Sequence, residues 1–274
     1  MILVHVVQVK STNNVMENDL EIKSVSIVGT GKLAHALLVL FQEVGFPVEG
    51  IWGRNTVKAQ QLANKFQITV YKSLEEIKTD WILVSVSDNA ITAVLEKLPE
   101  DSQVSITAGS FDVRQHKNLS IFYPLQTFDE HLIDFSWKGV PIILDGEPLF
   151  LLRIQRLCKA WEMATIEMEY SKREKLHLIA VFFNNFSNHI LYKAHTLSES
   201  FEIDSDIFNE LINRTFSNFK LNKKFNNQTG PAVRGDSTTL NKHRQLLSAS
   251  DLAVYNVLTE SIIHSKNELQ GKTQ

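Results

Sequence analysis

The chain has 274 residues, with 28 lysines and arginines against 31 aspartates and glutamates, for a formal net charge of −3. That near-balance, with both signs mixed along the chain, excludes the basic stripe of a nucleic-acid binder and the polybasic patch of a membrane-surface protein. No apolar run reaches the ~20 residues that a bilayer crossing needs. The single cysteine, Cys158, has no partner for an internal disulfide, so a reducing, cytoplasmic setting is expected.

The length suggests roughly two domains. At the start, Ile2 to Val9 is apolar and strand-like, and Lys10 to Asp19 is polar. The segment lacks the basic region and small-residue cleavage site of a signal peptide. Residues 1–23 read as a poorly ordered N-terminal extension, of which 1–15 are expected to be dispensable or a misassigned start, so that a truncate beginning at Met16 folds. Ser24 to Val28 is short, mostly apolar and β-branched, as a buried parallel strand is. It stops at Gly29-Thr30-Gly31-Lys32-Leu33-Ala34 and passes at once into a helical pattern with Leu33, Ala36, Leu37, Leu40, Phe41 and Val44 on one face. Gly45 stands at the C-cap position.

Further strands are expected at Val48 to Trp52, Ile68 to Tyr71, Trp81 to Val86 and Val104 to Thr107, with Val140 to Leu144 as an edge strand. Between them, Asn55 or Thr56 caps a helix carrying Val57, Leu62, Ala63 and Phe66. Ser73 with Glu76 makes a capping box, and Asp88 is read as the N-cap of a helix with Ile91, Val94, Leu95 and Leu98 inside. Strand–helix alternation at this spacing predicts an α/β fold with a doubly wound parallel Rossmann sheet over residues 24–145. From 146 to 270 the pattern is helical throughout: Leu149 to Trp161, a run of about thirty residues from Ser171 towards Phe201, then segments near 205–220, 237–248 and 250–268. This predicts a C-terminal all-α domain. So long and apolar a helix in one subunit suggests a homodimer through the helical domain.

The glycine turn has the G-x-G-x-x-A form of a dinucleotide pyrophosphate site. The first glycine makes the turn, the second lets the backbone approach phosphate, and the third position packs helix on strand. Gly29, Thr30, Gly31, Lys32 and Leu33 are thus cofactor-binding candidates. NAD-preferring sites carry an acid at the end of the second strand; this chain has Arg54 and Asn55 there, and a guanidinium pairs with a 2′-phosphate. The expected cofactor is NADP (NADPH). Val86 and Ser87 after the fourth strand, and Thr107 after the fifth, sit where open α/β sheets bind ligands.

In the helical half, His177 and Asn184 are seven residues apart and, on a uniform α-helix, share one face. With Tyr123 they are the candidates for proton relay or substrate orientation. No His, Cys or carboxylate pair has metal-ligand spacing, so no metal is expected. Thr229-Gly230-Pro231-Ala232-Val233-Arg234-Gly235-Asp236 is a shaped turn in which Arg234 and Asp236 are able to pair.

These blocks together resemble a known arrangement. Val25 to Ala34, Ser85 to Asp88, Thr107 to Ser110 and Tyr123-Pro124-Leu125-Gln126-Thr127-Phe128 are similar to the Rossmann half of the F420-dependent NADP oxidoreductases and pyrroline-5-carboxylate reductases. Leu176 through Asn185 and Thr229 to Asp236 resemble the DUF2520 domain found behind such halves in bacteria. The resemblance implies a 6-phosphogluconate dehydrogenase C-terminal-like helical domain and NADP as cofactor. Many relatives place a His at the position of Ile106 and His-Pro where this chain has Tyr123-Pro124. The function expected is an NADP-dependent oxidoreductase moving hydride to or from a small carbonyl or imine substrate in the cleft between domains. The alternative is an NADP-binding regulatory or interaction protein without turnover.

Overall fold

The computed structural model describes residues 21–114, 118–129, 136–222 and 225–271. Residues 1–20 lie outside the described set, and with them the expectation for the N-terminal extension. The chain divides into two compact units, Met1–Asn184 and Asn185–Gln274.

The described residues of the first unit form an eight-stranded sheet: β1 (Val25–Val28), β2 (Val48–Trp52), β3 (Thr69–Val70), β4 (Trp81–Val84), β5 (Val104–Ile106), β6 (Leu119–Pro124), β7 (Ile142–Gly146) and β8 (Thr165–Glu167). Their spatial order is β3-β2-β1-β4-β5-β6-β7-β8. The first six run parallel, β7 is antiparallel to β6, and β8 is parallel to β7. The register aligns the carboxyl ends: Val28 pairs with Trp52 and with Val84, and Val84 with Ile106. The order of the central strands reverses direction at β1, so the crevice beyond these ends is the switch point where doubly wound sheets bind ligands.

Alternation along the strands splits the core. Ile27 faces one apolar cluster with Leu37, Phe41, Phe122, Phe150 and Ile154; Val28 faces a second with Ile82, Ile91, Ile106 and Ile121. Helices α1 (Lys32–Glu43), α2 (Thr56–Phe66) and α4 (Pro148–Ala160) supply the first cluster, and α3 (Asp88–Leu95) the second. In α1 the buried face is Ala34, Leu37, Leu38, Leu40 and Phe41, and the helix ends at Gly45 with φ +66°. In α2 the side chain of Asn55 accepts the Lys58 amide at 2.9 Å, a cap as expected, while Val57, expected inside, is exposed.

Several expectations are corrected. Val140 to Leu144 is not an edge: β7 lies between β6 and β8, and Ile142, Ile143 and Leu144 are fully buried. β6 was not foreseen at all. Its polar residue, Ser120, hides its hydroxyl in a buried chain with Ser105 (2.6 Å) and the Trp81 indole N–H, which donates to Ser105 (2.8 Å). The sheet also continues past residue 145, because α4 packs on it and β8 extends it. The short strand β8, Thr165-Ile166-Glu167, is largely exposed and has too few residues to give an alternating signal.

The expected thirty-residue helix is interrupted. It consists of α5 (Tyr170–Ala180), a π-helical segment Val181–Phe186, and α6 (Ser187–Ser200), and the division into units falls inside the π segment. The second unit continues with α7 (Asn209–Leu221), α8 (Pro231–Arg234), α9 (Ser237–Leu246) and α10 (Ala249–Gly271). In it, Asp236 does not pair with Arg234 but caps α9, accepting the Thr239 amide at 3.0 Å and the Thr239 hydroxyl at 2.7 Å. No helix among the described residues is long and apolar enough to cross a membrane.

Candidate functional site

At the carboxyl end of β1 the backbone turns at Gly29 with φ +130°, a conformation that side chains rarely adopt. A Cβ there would lie 2.0 Å from the Ser85 carbonyl oxygen, so β1 and the end of β4 approach through this glycine. Gly31 is different. Its φ of −81° suits any residue, and a Cβ on it would meet no protein atom within 4 Å. Gly31 borders open space at the N-terminus of α1, where free amides favour an anion.

That space is a cleft of about 290 Å³ lined by Gly29, Thr30, Gly31, Trp52, Gly53, Arg54, Asn55, Ser85, Val86 and Ser87, among others. Of the cofactor candidates it gathers Gly29, Thr30, Gly31, Arg54, Asn55, Val86 and Ser87. Lys32, Leu33 and Thr107 are not in its wall. The Lys32 ammonium instead lies 3.9 Å from the Asp129 carboxylate. Thr107 is buried and donates its hydroxyl to the Val84 carbonyl at 3.2 Å, tying β5 to β4. The sequence reading overlooked Trp52 and Gly53; a Cβ on Gly53 would lie 2.4 Å from the Thr30 methyl, so glycine is what lets the β2 end close on the turn.

Asp88 is not an N-cap. Ser87 holds that position, and Asp88, the first residue of α3, accepts the Ser110 hydroxyl at 3.0 Å. The loops after β4 and β5 are thereby joined, a contact across 22 residues that local pattern does not show.

Further along the strand ends, the Tyr123 hydroxyl is 3.3 Å from Nδ1 of His177. Their rings meet edge-on at 61°, with centroids 6.1 Å apart. Tyr123 comes from β6 and His177 from α5, so 54 residues of chain separate this pair. A Cβ on Gly109 would sit 2.7 Å from the Tyr123 ring, so the loop after β5 lies directly on it. Burial pushes the Tyr123 phenol above its ordinary 10.0, because the phenolate loses solvation there. The third candidate, Asn184, is exposed on the π segment. Asn184 and His177 do not keep the common face of a 3.6-residue helix, because the wider π turn between them breaks that phase.

One group near this pair was missed. Arg173, one turn before His177, is fully buried. It donates through Nη1 to the Gly109 carbonyl (2.5 Å) and through Nη2 to Asp145 (2.9 Å). The only hint in the sequence was an arginine on the face that His177 shares. Among the described residues, no group of three or more His, Cys, Asp or Glu stands where a metal ion could be held.

Two known family models match the chain in turn. Residues 24–109 match the model of the NADP oxidoreductase, coenzyme F420-dependent, family, and residues 140–262 match that of a domain of unknown function, DUF2520. The chain is also similar to a "putative NADP oxidoreductase" from Bacteroides fragilis, with a TM-score of 0.81 and 25% identity, covering 89% of this chain and 99% of that one. An imine reductase from Myxococcus stipitatus in complex with NADP+ gives 0.63 at 14% identity, over 91% and 94% of the two chains, a likeness of fold. Among curated relatives, glucose-fructose oxidoreductase domain-containing protein 2 from Mus musculus is 34% identical over 84 residues, 31% of this chain. The match spans only 20% of that relative's length.

Proposed function

We propose that this Rossmann–DUF2520 chain is an NADP-dependent oxidoreductase acting on a small carbonyl or imine substrate. The observation that carries the reading is Gly31: it lines the cleft at the N-terminus of α1, and the missing side chain leaves the backbone there open to a phosphate. Arg54, exposed at the rim of the same cleft, supplies the charge for a 2′-phosphate. The family match over residues 24–109 and the NADP+-bound imine reductase of like fold support the same cofactor and reaction class.

When bound, the nicotinamide supplies or takes the hydride. The chain's residues hold the dinucleotide along Gly29 to Gly31 and manage the proton. The Tyr123 hydroxyl stays protonated at neutral pH and is the donor to the substrate oxygen or nitrogen; His177, hydrogen-bonded to it, replaces the proton. This pair fills the role left open by Ile106 and Tyr123, where relatives resembled by this chain carry histidines. Asn184 stays a candidate for substrate orientation only.

Trp52 lines the cleft, so its fluorescence reports binding directly. NADPH is expected to quench it. Arg54→Ala should weaken NADPH by about 1.5–3 kcal/mol, a factor on the order of ten to a hundred, with NADH little changed. Equal losses for both cofactors would refute the 2′-phosphate role. Consumption of NADPH in a screen of cyclic imines and small ketones then tests turnover; binding without turnover in any of them would favour the regulatory reading.

We further propose that a second copy covers the helical unit. Its buried residues among those described are only Ser198, Ala232, Leu240 and Thr259. In α7 no residue is buried, and Leu211, Phe216 and Leu221 are exposed. An all-α unit whose apolar stripes stay in water requires a partner surface.

A further inference from the structure

We propose that Arg173 is the positioning residue of the Tyr123–His177 pair, setting the distance across which the proton moves. This rests on the reading of that pair given above. The buried polar side chains among the described residues are otherwise serines and threonines; Arg173 is the charged one. A guanidinium taken out of water is costly unless it is paired; Asp145 supplies the counter-charge at Nη2, while Nε is buried without a partner. The second bond goes elsewhere, to the backbone carbonyl of Gly109.

Gly109 is where the loop after β5 rests on the Tyr123 ring. Four contacts therefore close a circuit. Arg173 holds Gly109, Gly109 abuts Tyr123, Tyr123 bonds His177, and His177 lies one helical turn from Arg173 on α5. The guanidinium also lies over the Tyr170 ring at 5.6 Å, which fixes its plane at the start of the helix. The Arg173–Gly109 bond is the hydrogen bond that ties α5 directly to the backbone of the loop resting on Tyr123. The fork of an arginine reaches two acceptors in two directions, and the single ammonium of a lysine does not hold both. Lysine thus keeps the pairing with Asp145 while losing the positioning.

The test is made on the full chain with 15N-labelled histidine, the His177 resonance being assigned by its loss in His177→Gln. The change in the His177 Nδ1 chemical shift on Tyr123→Phe measures the contact. In the parent chain that change is expected to be clear; in an Arg173→Lys background most of it should vanish, while NADPH still quenches Trp52 with unaltered affinity. Should Arg173→Lys not fold, the double replacement Arg173→Met with Asp145→Leu removes both charges, leaves no unpaired charge, and is expected to show the same loss. If Tyr123→Phe shifts His177 equally in the parent and in whichever variant folds, Arg173 is only a structural ion pair and the proposal is overturned. No shift in the parent chain would instead remove the Tyr123–His177 reading, and this inference with it.

Discussion

Gly29 and Gly31 look alike in a motif, yet the fold needs them for different reasons. At Gly29 the positive φ and the Ser85 carbonyl both oppose a side chain. Gly29→Ala should therefore destabilise the folded chain by about 1–3 kcal/mol or more, read by urea denaturation. Gly31→Ala should leave that stability unchanged and weaken NADPH at least about tenfold, roughly 1.4 kcal/mol, read by Trp52 quenching. An Ala at Gly31 that binds NADPH normally would remove the phosphate from that position. Cys158 gives a second test at this scale. Burial raises its thiol from 9.0 to about 12. The folded chain holds the proton more tightly than the unfolded one, so this contribution to stability is whole below pH 9.0 and is lost as pH rises towards 12. Cys158→Ala should make the alkaline loss of stability shallower, and in the folded parent the thiol should resist alkylation at neutral pH. The burial of Cys158 was legible from its place in a helical pattern; the Thr107 hydroxyl bond to Val84 was not, since it depends on a neighbouring strand 23 residues away.

Among elements, the helix starts with side-chain caps are the most open to measurement. Asp236 is one, and its contacts give the Thr229–Asp236 block a structural role: Gly235 turns at φ +73° and Lys266 of α10 donates to the Val233 carbonyl at 2.7 Å. Asp236→Ala should cost about 1 kcal/mol in thermal unfolding, and Asp236→Asn should recover most of it. If alanine costs nothing, the cap is not what keeps the turn. The parallel strands β1 and β4 were legible from sequence because each is mostly apolar and bounded by a turn or helix signal. β6 was not, because Ser120 interrupts the run and Pro124 ends it, and its pairing satisfies both only in the assembled sheet. The π segment was likewise hidden: the run Val181–Phe186 is apolar enough to read as ordinary helix.

For the molecule as a whole, the two units differ in how they are held. The first has two apolar clusters over a sheet; the second leaves long apolar side chains such as Leu211, Phe216 and Leu221 exposed. Sedimentation should find a dimer, and Leu211→Glu with Phe216→Glu should yield monomers that keep the NADPH quench of Trp52. A monomeric parent chain at micromolar concentration would overturn the second-copy reading. Within the first unit, Asp145→Ala leaves the Arg173 guanidinium buried without its counter-charge and should cost about 3–5 kcal/mol.

By itself the sequence determined the Rossmann order, the glycine turn and Arg54 at the end of β2, because each is a local consequence of burial, turn geometry or spacing along one strand and its neighbour. Only the tertiary structure decided that Tyr123 meets His177, that Asp88 meets Ser110, and that Arg173 reaches Gly109 and Asp145. Those contacts join residues 22 to 64 positions apart, and no period in the chain encodes them. They exist because the sheet brings β5, the parallel β6 and the antiparallel β7 side by side, where α5 meets residues from β6, β7 and the loop after β5.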